Sequence, residues 1–521
     1  MEEIPLLDKE LKMQPGSNTN LNDVKKYIIN GNEVQVKELL NKTLQIMDPL
    51  IVLDSNGLSY LHYAVRHNRL NIVKLLVEYF QADVNIKSSK LETCLHLAAK
   101  YSRNEIRSQK FQESDSFDGH SKSLFTSDEL DEILSSIAND TLDENQIKSF
   151  KFAQQNLNCP IEVLEKISAA KFDHSCTDDM VYYLLSKNAN ALMEDENGSS
   201  PLHIAIAGNN FNAFLQLISR SISSSDAKDK FGFTPLHQAM ASMNDLYARV
   251  LVSTIYKDQS LNCFDIYGNS PLHIAAKSGF VNNARVFIES IKSQYSRTAK
   301  TNPVESKTPI HSIKASTDVE DYMDILNAKN TFGQTALHLA VQSKQLALVL
   351  ALLKENVEVD HLTNQKDHAL HLACQVGSLE ITKCLMTKIK DVNIMNNSGM
   401  TPLHLGVHSK NVGLVKYLLE KGCKLEAKNS DAQTPLCLAL KMNLRDIANL
   451  LMDKGASLRV FDKKLNTPLH LAVANGSFEC TQLILDSDEG KKTINRLNSS
   501  KNSPIHIAIE KGQNEIFEVR N

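Results

Sequence analysis

No stretch of this 521-residue chain approaches the roughly twenty consecutive apolar residues that a membrane-spanning helix needs. The richest apolar run, LALVLALL at Leu346–Leu353, is far too short and reads as a buried helix face. A secretory leader is missing as well, because MEEIPLLDKELK opens acidic where such a leader opens basic. Cysteine is sparse, nine residues with no CxxC pair, which argues against a disulfide framework and for reduced thiols. Excess positive charge is lacking too. A formal net charge of -4 and a pI near 6.5 argue against nucleic acid or an anionic membrane as partner, since both take clustered Lys and Arg. The expected setting is cytoplasmic, with the nucleus open, and without direct membrane insertion.

Catalytic signatures are equally scarce. HExxH, GxSxG, GxGxxG and the kinase motif set do not occur. EGKKT at Glu489–Thr493 is like the tail of a phosphate-binding loop, but it lacks the upstream glycine and falls in a linker. The chain therefore reads as a non-enzyme, with no cofactor, no metal and no small-molecule substrate expected.

What the chain does have is repetition. FGFTPLHQAM (Phe231–Met240) and YGNSPLHIAA (Tyr267–Ala276) spell nearly one word. Marked by its fourth letter, TPLH recurs at His62, His96, His203, His237, His273, His311, His338, His371, His404, Cys437, His470 and His506. The gaps are 34, 107, 34, 36, 38, 27, 33, 33, 33, 33 and 36 residues.

Physical chemistry assigns each letter a task. Thr is a good N-cap, and Pro in the first helical turn loses no N–H that the helix needs. Leu and the following Ala face inward on a short first helix. Gly279, Gly377, Gly476, Gly512, Asn68 and Asn209 follow the His by six residues, as left-handed helix ends. A second helix comes next, as in LVKYLLEKG (Leu414–Gly422), with apolar residues at helical spacing. Then Asp or Asn stands eight before the next His, and Gly five before it supplies the positive φ of a tight turn. The repeat reads as hairpin, helix, turn, helix.

This period and word resemble the ankyrin repeat. The resemblance covers most of the chain and implies an all-α repeat fold, an ankyrin-type α-solenoid with β-hairpin loops and about thirteen repeats. It also implies partners that are other proteins, held along hairpin tips and first helices. The leading expectation is a scaffold or adaptor. The alternative is the cytosolic N-terminal arm of a larger membrane protein, as in transient receptor potential channels, which the stop at Asn521 partway into a second helix favours.

The expected organisation is a tail over 1–20, N-terminal repeats over 21–102, an insertion over 103–177 and the main array over 178–521. Gaps of 38 and 27 around His311 sum to nearly two periods, so TPIHSI reads as a misregistered repeat. The insertion is Ser-rich and acidic, with a capping box at Thr126 and Glu129 before Leu130, Ile133, Leu134 and Ile137. It reads as a loop with a helix resting on the array, or as a docking segment open to phosphorylation.

The column of His residues reads as structural, because side chains on stacked helices about 8–10 Å apart cannot share a metal about 2 Å from each ligand. Candidate partner-binding residues are Phe231, Tyr267 and Phe332, aromatic at the hairpin tip where most repeats carry a polar residue. Phe231 and Tyr267 are expected close together on adjacent repeats. The resemblance further implies oxygen-dependent asparaginyl hydroxylation eleven residues before the His, at Asn85, Asn262, Asn393 and Asn495.

Overall fold

The computed structural model describes residues 18–43, 54, 56–101, 179–220, 227–254, 263–301 and 322–513. These residues fall into two compact bodies, divided between Ile266 and Tyr267. Both are built from short paired helices.

The helices start where the word predicts. In the His404 repeat, Thr401 caps the helix Pro402–His408, with Pro in its first turn. Leu403, His404, Leu405 and Val407 are buried on it. The second helix, Val412–Glu420, is capped by Asn411 and buries Leu414, Val415 and Leu418. The helix ends agree with the reading as well: Gly279, Gly377, Gly476, Gly512, Asn68 and Asn209 all have positive φ. Lys344 and Lys410 hold the same place with φ of 58° and 62°, and composition alone did not mark them.

In the first body Asn18–Asn30 and Glu33–Thr43 form the N-terminal helix pair. First helices Tyr60–Arg66, Cys94–Tyr101, Pro201–Ala207 and Pro235–Met240 then stack in that order. Met180–Ser186 packs on Cys94–Tyr101 as the second helix of the His96 repeat. The insertion expected over 103–177 lies outside the described residues.

In the second body Pro271–Ser278, Ala336–Gln342, Ala369–Gln375, Pro402–His408, Pro435–Lys441, Pro468–Ala474 and Pro504–Glu510 stack in turn. This order corrects the reading of His311, which itself lies outside the described residues. Pro271–Ser278 packs directly on Ala336–Gln342, and His273 Nε2 donates to the carbonyl of Gln334 at 3.0 Å. The interval is therefore one period with extra chain, and part of that chain prolongs the second helix to Val281–Thr301.

The hairpins are tighter than the expected β-loops. Among the described residues no strand is formed, and only the isolated bridges Lys87–Thr93 and Leu362–His368 mark paired arms.

Candidate binding surface on the hairpin tips

Most hairpins are wound around one carboxylate or carboxamide, and two around a hydroxyl, that of Ser88 or Thr363. Asp229 Oδ1 accepts from Phe231 N and Phe233 N at 2.9 and 2.8 Å, and Gly232 N donates to Asp229 O at 2.8 Å. Gly232 has φ of +76°, and a Cβ there would lie 2.9 Å from the backbone nitrogen of Ile266. A side chain at Gly232 would be strained on both counts. Asn330, Asn396, Asn429, Asp462 and Asn498 repeat the same two-bond turn in the second body.

The tips are joined by a backbone ladder. The carbonyl six residues before the His accepts from the amide of the next hairpin: Ile266 N to Phe231 O at 3.0 Å in the first body, Thr331 N to Tyr267 O and Asn364 N to Phe332 O at 2.9 Å in the second. It continues through Gln365, Ser398, Asp431 and Lys464. These carbonyls are spent on the scaffold, so the side chains are what the tips present outward.

Those side chains differ in kind. Phe231, Tyr267 and Phe332 are 52, 47 and 57% exposed. Tyr267 and Phe332 stand on consecutive tips, since Thr331, beside Phe332, donates its amide directly to Tyr267 O. Phe231 belongs to the first body and Tyr267 to the second. Ile266, one tip along from Phe231, is exposed as well. Sequence reading passed over it because it stands one place away from the aromatic column.

The His residues do the structural work expected. Thr401 Oγ1 meets His404 Nδ1 at 2.8 Å and Thr401 N donates to it at 3.2 Å, while His404 Nε2 donates to Gln433 O at 3.0 Å. One ring thus caps its own helix and ties it to the next repeat. His62, His96, His203, His371 and His470 make the same cross-repeat bond. Burial lowers the pKa of each of these rings, and it takes His338 down to about 4. Among the described residues no group of three or more His, Cys, Asp or Glu is placed to hold a metal ion. No described helix is long and apolar enough to cross a membrane.

The asparagines at the hairpin bases are cross-repeat clasps. Asn85 Oδ1 accepts from Asn190 N at 2.8 Å and Asn393 Oδ1 from Lys424 N at 2.7 Å. Asn327, absent from the sequence-based set, does the same for Glu358 N at 3.0 Å. It stands eleven before His338, the spacing that defines the others. Asn495 is exposed, and Asn262 lies outside the described residues.

Stacked hairpin–helix–turn–helix repeats, tied by a tip ladder and a column of capping histidines, define a repeat solenoid, a class of protein that works through its surface. The chain belongs to the ankyrin-repeat family. A family model of three tandem ankyrin repeats matches residues 17–108, 167–259, 214–299, 287–393, 349–429, 370–462 and 459–519. Ankyrin repeats are in general protein-interaction modules without catalytic activity. The chain is similar to the rat Nuclear factor NF-kappa-B p105 subunit, 25% identical over 205 residues, 38% of this chain and 18% of that protein. Human Rabankyrin-5 is 27% identical over 184 residues, 34% of this chain and 15% of that protein. Human Transient receptor potential cation channel subfamily A member 1 is 29% identical over 202 residues, 36% of this chain and 17% of that protein. The chain thus matches less than a fifth of the length of these relatives.

Proposed function

We propose that the chain is a non-enzymatic scaffold or adaptor that holds other proteins along its hairpin tips and first helices. The observation that carries this reading is the pair Tyr267 and Phe332, on consecutive tips, their carbonyls engaged and their rings about half exposed. Aromatic surface left in water gains most when a partner covers it, and such residues dominate binding hot spots. Phe231 offers the same feature in the first body.

The test is a partner captured with the full chain and titrated against variants. Phe231→Ala with Tyr267→Ala, and separately Phe332→Ala, should each weaken it by about 2 kcal/mol, roughly 30-fold, with the melting temperature unmoved. Lost stability with unchanged affinity would assign the rings to the scaffold instead.

A second reading, the cytosolic arm of a larger membrane protein, is supported by the similarity to the human channel. Sequencing the transcript past Asn521 decides it. Further repeats followed by several long apolar stretches make it such an arm, and an immediate stop codon removes that reading.

Hydroxylation of Asn85, Asn262, Asn393 and Asn495 belongs to the same proposal. Asn85 and Asn393 both have to leave their bonds, to Asn190 N and Lys424 N, before an enzyme can reach them. Asn393, in the regular block of 33-residue repeats, should be the least modified of the four. Peptide mass spectrometry of cell-derived protein that finds no added oxygen on any of the four would remove the idea.

A further inference from the structure

The tips of the second body change character along the ladder. Tyr267 and Phe332 are aromatic, the next tip carries Gln365 with a single Lys366, and the two after it carry Asn397, Ser398 and Ser430. The last three hairpins present lysine: Lys428 on an arm, Lys463 and Lys464 on one tip and Lys501 on the next, all exposed. Lys463 N donates to Asp431 O at 3.0 Å and Ser499 N to Lys464 O at 2.9 Å, so the three tips are consecutive and in register. Asp431 is the exposed acid among those tip residues, while Asp462 is buried and taken up by the amides of its own turn. None of the four lysines enters an ion pair among the described residues. Between them stand Leu465 and Leu497, 52 and 55% exposed.

The backbone adds a second sign. The turn position that is glycine in Gly268, Gly333 and Gly399 is filled in these hairpins by Ala432, Leu465 and Lys501, at φ of 58°, 55° and 61°. Side chains rarely adopt this left-handed conformation; Leu91 and Lys366 hold it singly in other hairpins, and here it recurs on three consecutive ones. At two of the three places it holds an apolar or a basic side chain outward.

We propose that these three tips bind an acidic, extended peptide segment that carries apolar residues among its carboxylates. The proposal rests on the scaffold reading above and names the partner's chemistry. Repeats spaced about 8–10 Å apart put the outer tips about 16–20 Å apart, and a chain rising about 3.3 Å per residue covers that in about six residues. Carboxylates meet the lysines, and apolar side chains cover Leu465 and Leu497. A nucleic acid offers phosphates but nothing for the two leucines.

The probe is a fluorescein-labelled peptide, Glu-Glu-Leu-Asp-Glu-Leu-Glu-Asp, titrated by anisotropy into the full chain. Its controls are the same peptide with Lys for every acid and a single-stranded uridine oligomer. The acidic peptide should bind, lose several-fold between about 50 and about 300 mM salt, and lose about tenfold or more in Lys463→Glu with Lys464→Glu. Leu465→Gly should also weaken it while raising the melting temperature. Equal binding of acidic and basic peptides, unchanged binding in the charge-reversed variant, or tighter binding of the uridine oligomer overturns the proposal. Loss of a captured partner in Tyr267→Ala and Phe332→Ala, with the lysine variant unaffected, would keep the scaffold reading and sink this one.

Discussion

The ring of His404 is held in one protonation state by its neighbours. Nδ1 accepts from Thr401 N, so the proton belongs on Nε2, where it reaches Gln433 O. A second proton would set two donors against each other at Nδ1. Burial acts in the same direction and lowers the pKa, down to about 4 at His338. With a folded pKa below the unfolded value of about 6.5, the unfolded chain binds protons first as pH falls. The stability held by these rings is complete above about pH 6.5 and is lost as pH drops through the folded values. Urea midpoints should therefore hold steady from pH 8 to 7 and fall steadily from about 6.5 towards 4, and a flat profile would refute the account. His404→Ala removes the cap and the tie together and should cost about 2–3 kcal/mol by the same measurement. Cys437 shows how far the site tolerates substitution. Its thiol accepts from Thr434 Oγ1 at 3.4 Å, so the local bond survives while the imidazole reach to the next repeat does not.

At the scale of the hairpin, the sequence was legible wherever a residue type is forced. Glycine five before the His and Asp or Asn eight before it predict the turn, and Gly399 shows why. It has φ of +67°, and a Cβ would lie 2.9 Å from the Ser430 amide, whose ladder bond to Ser398 depends on that approach. Gly399→Ala should lower stability by about 2 kcal/mol. The reverse change has the opposite sign. Leu465 holds the same conformation at φ of 55°, and Leu465→Gly should gain about 0.5–1 kcal/mol, the relief of about 1–2 kcal/mol less the flexibility that glycine adds to the unfolded chain. Denaturant melts of the two variants check both signs. What stayed hidden is of another kind. Lys344, Lys410 and Leu465 occupy left-handed positions without a residue type that announces it. TPIHSI carries the local word, yet Tyr267 O accepts from Thr331 N, and a word cannot report which hairpin its neighbour bonds. The aromatic column was readable because side chains at a fixed turn position must point outward, and Asn327 was open to the same counting, eleven before His338.

Over the whole molecule, stability is close to a sum of repeats and of interfaces between neighbours, so extra chain is tolerated where it leaves a helix pair intact. The His96 repeat meets that condition. Cys94–Tyr101 and Met180–Ser186 pack on each other although they are far apart in sequence. Asp179 Oδ1 caps the returning helix through Val181 N at 2.8 Å. Tyr183 Oη donates to Glu78 at 3.2 Å, and Lys187 pairs with Glu78 at 3.1 Å, which fixes that helix to the preceding repeat. Both ends of the intervening segment are thus anchored by contacts that do not involve it. Closing a long loop costs only slowly more than closing a short one, so cutting it to a short turn should change stability by about 2 kcal/mol at most, in the favourable direction. Replacing Arg103–Thr177 by a short Gly-containing turn should therefore leave one cooperative helical melt at the same or a slightly higher temperature. Loss of that cooperative transition would make the segment part of the core of the His96 repeat and overturn its placement between the repeat's two helices.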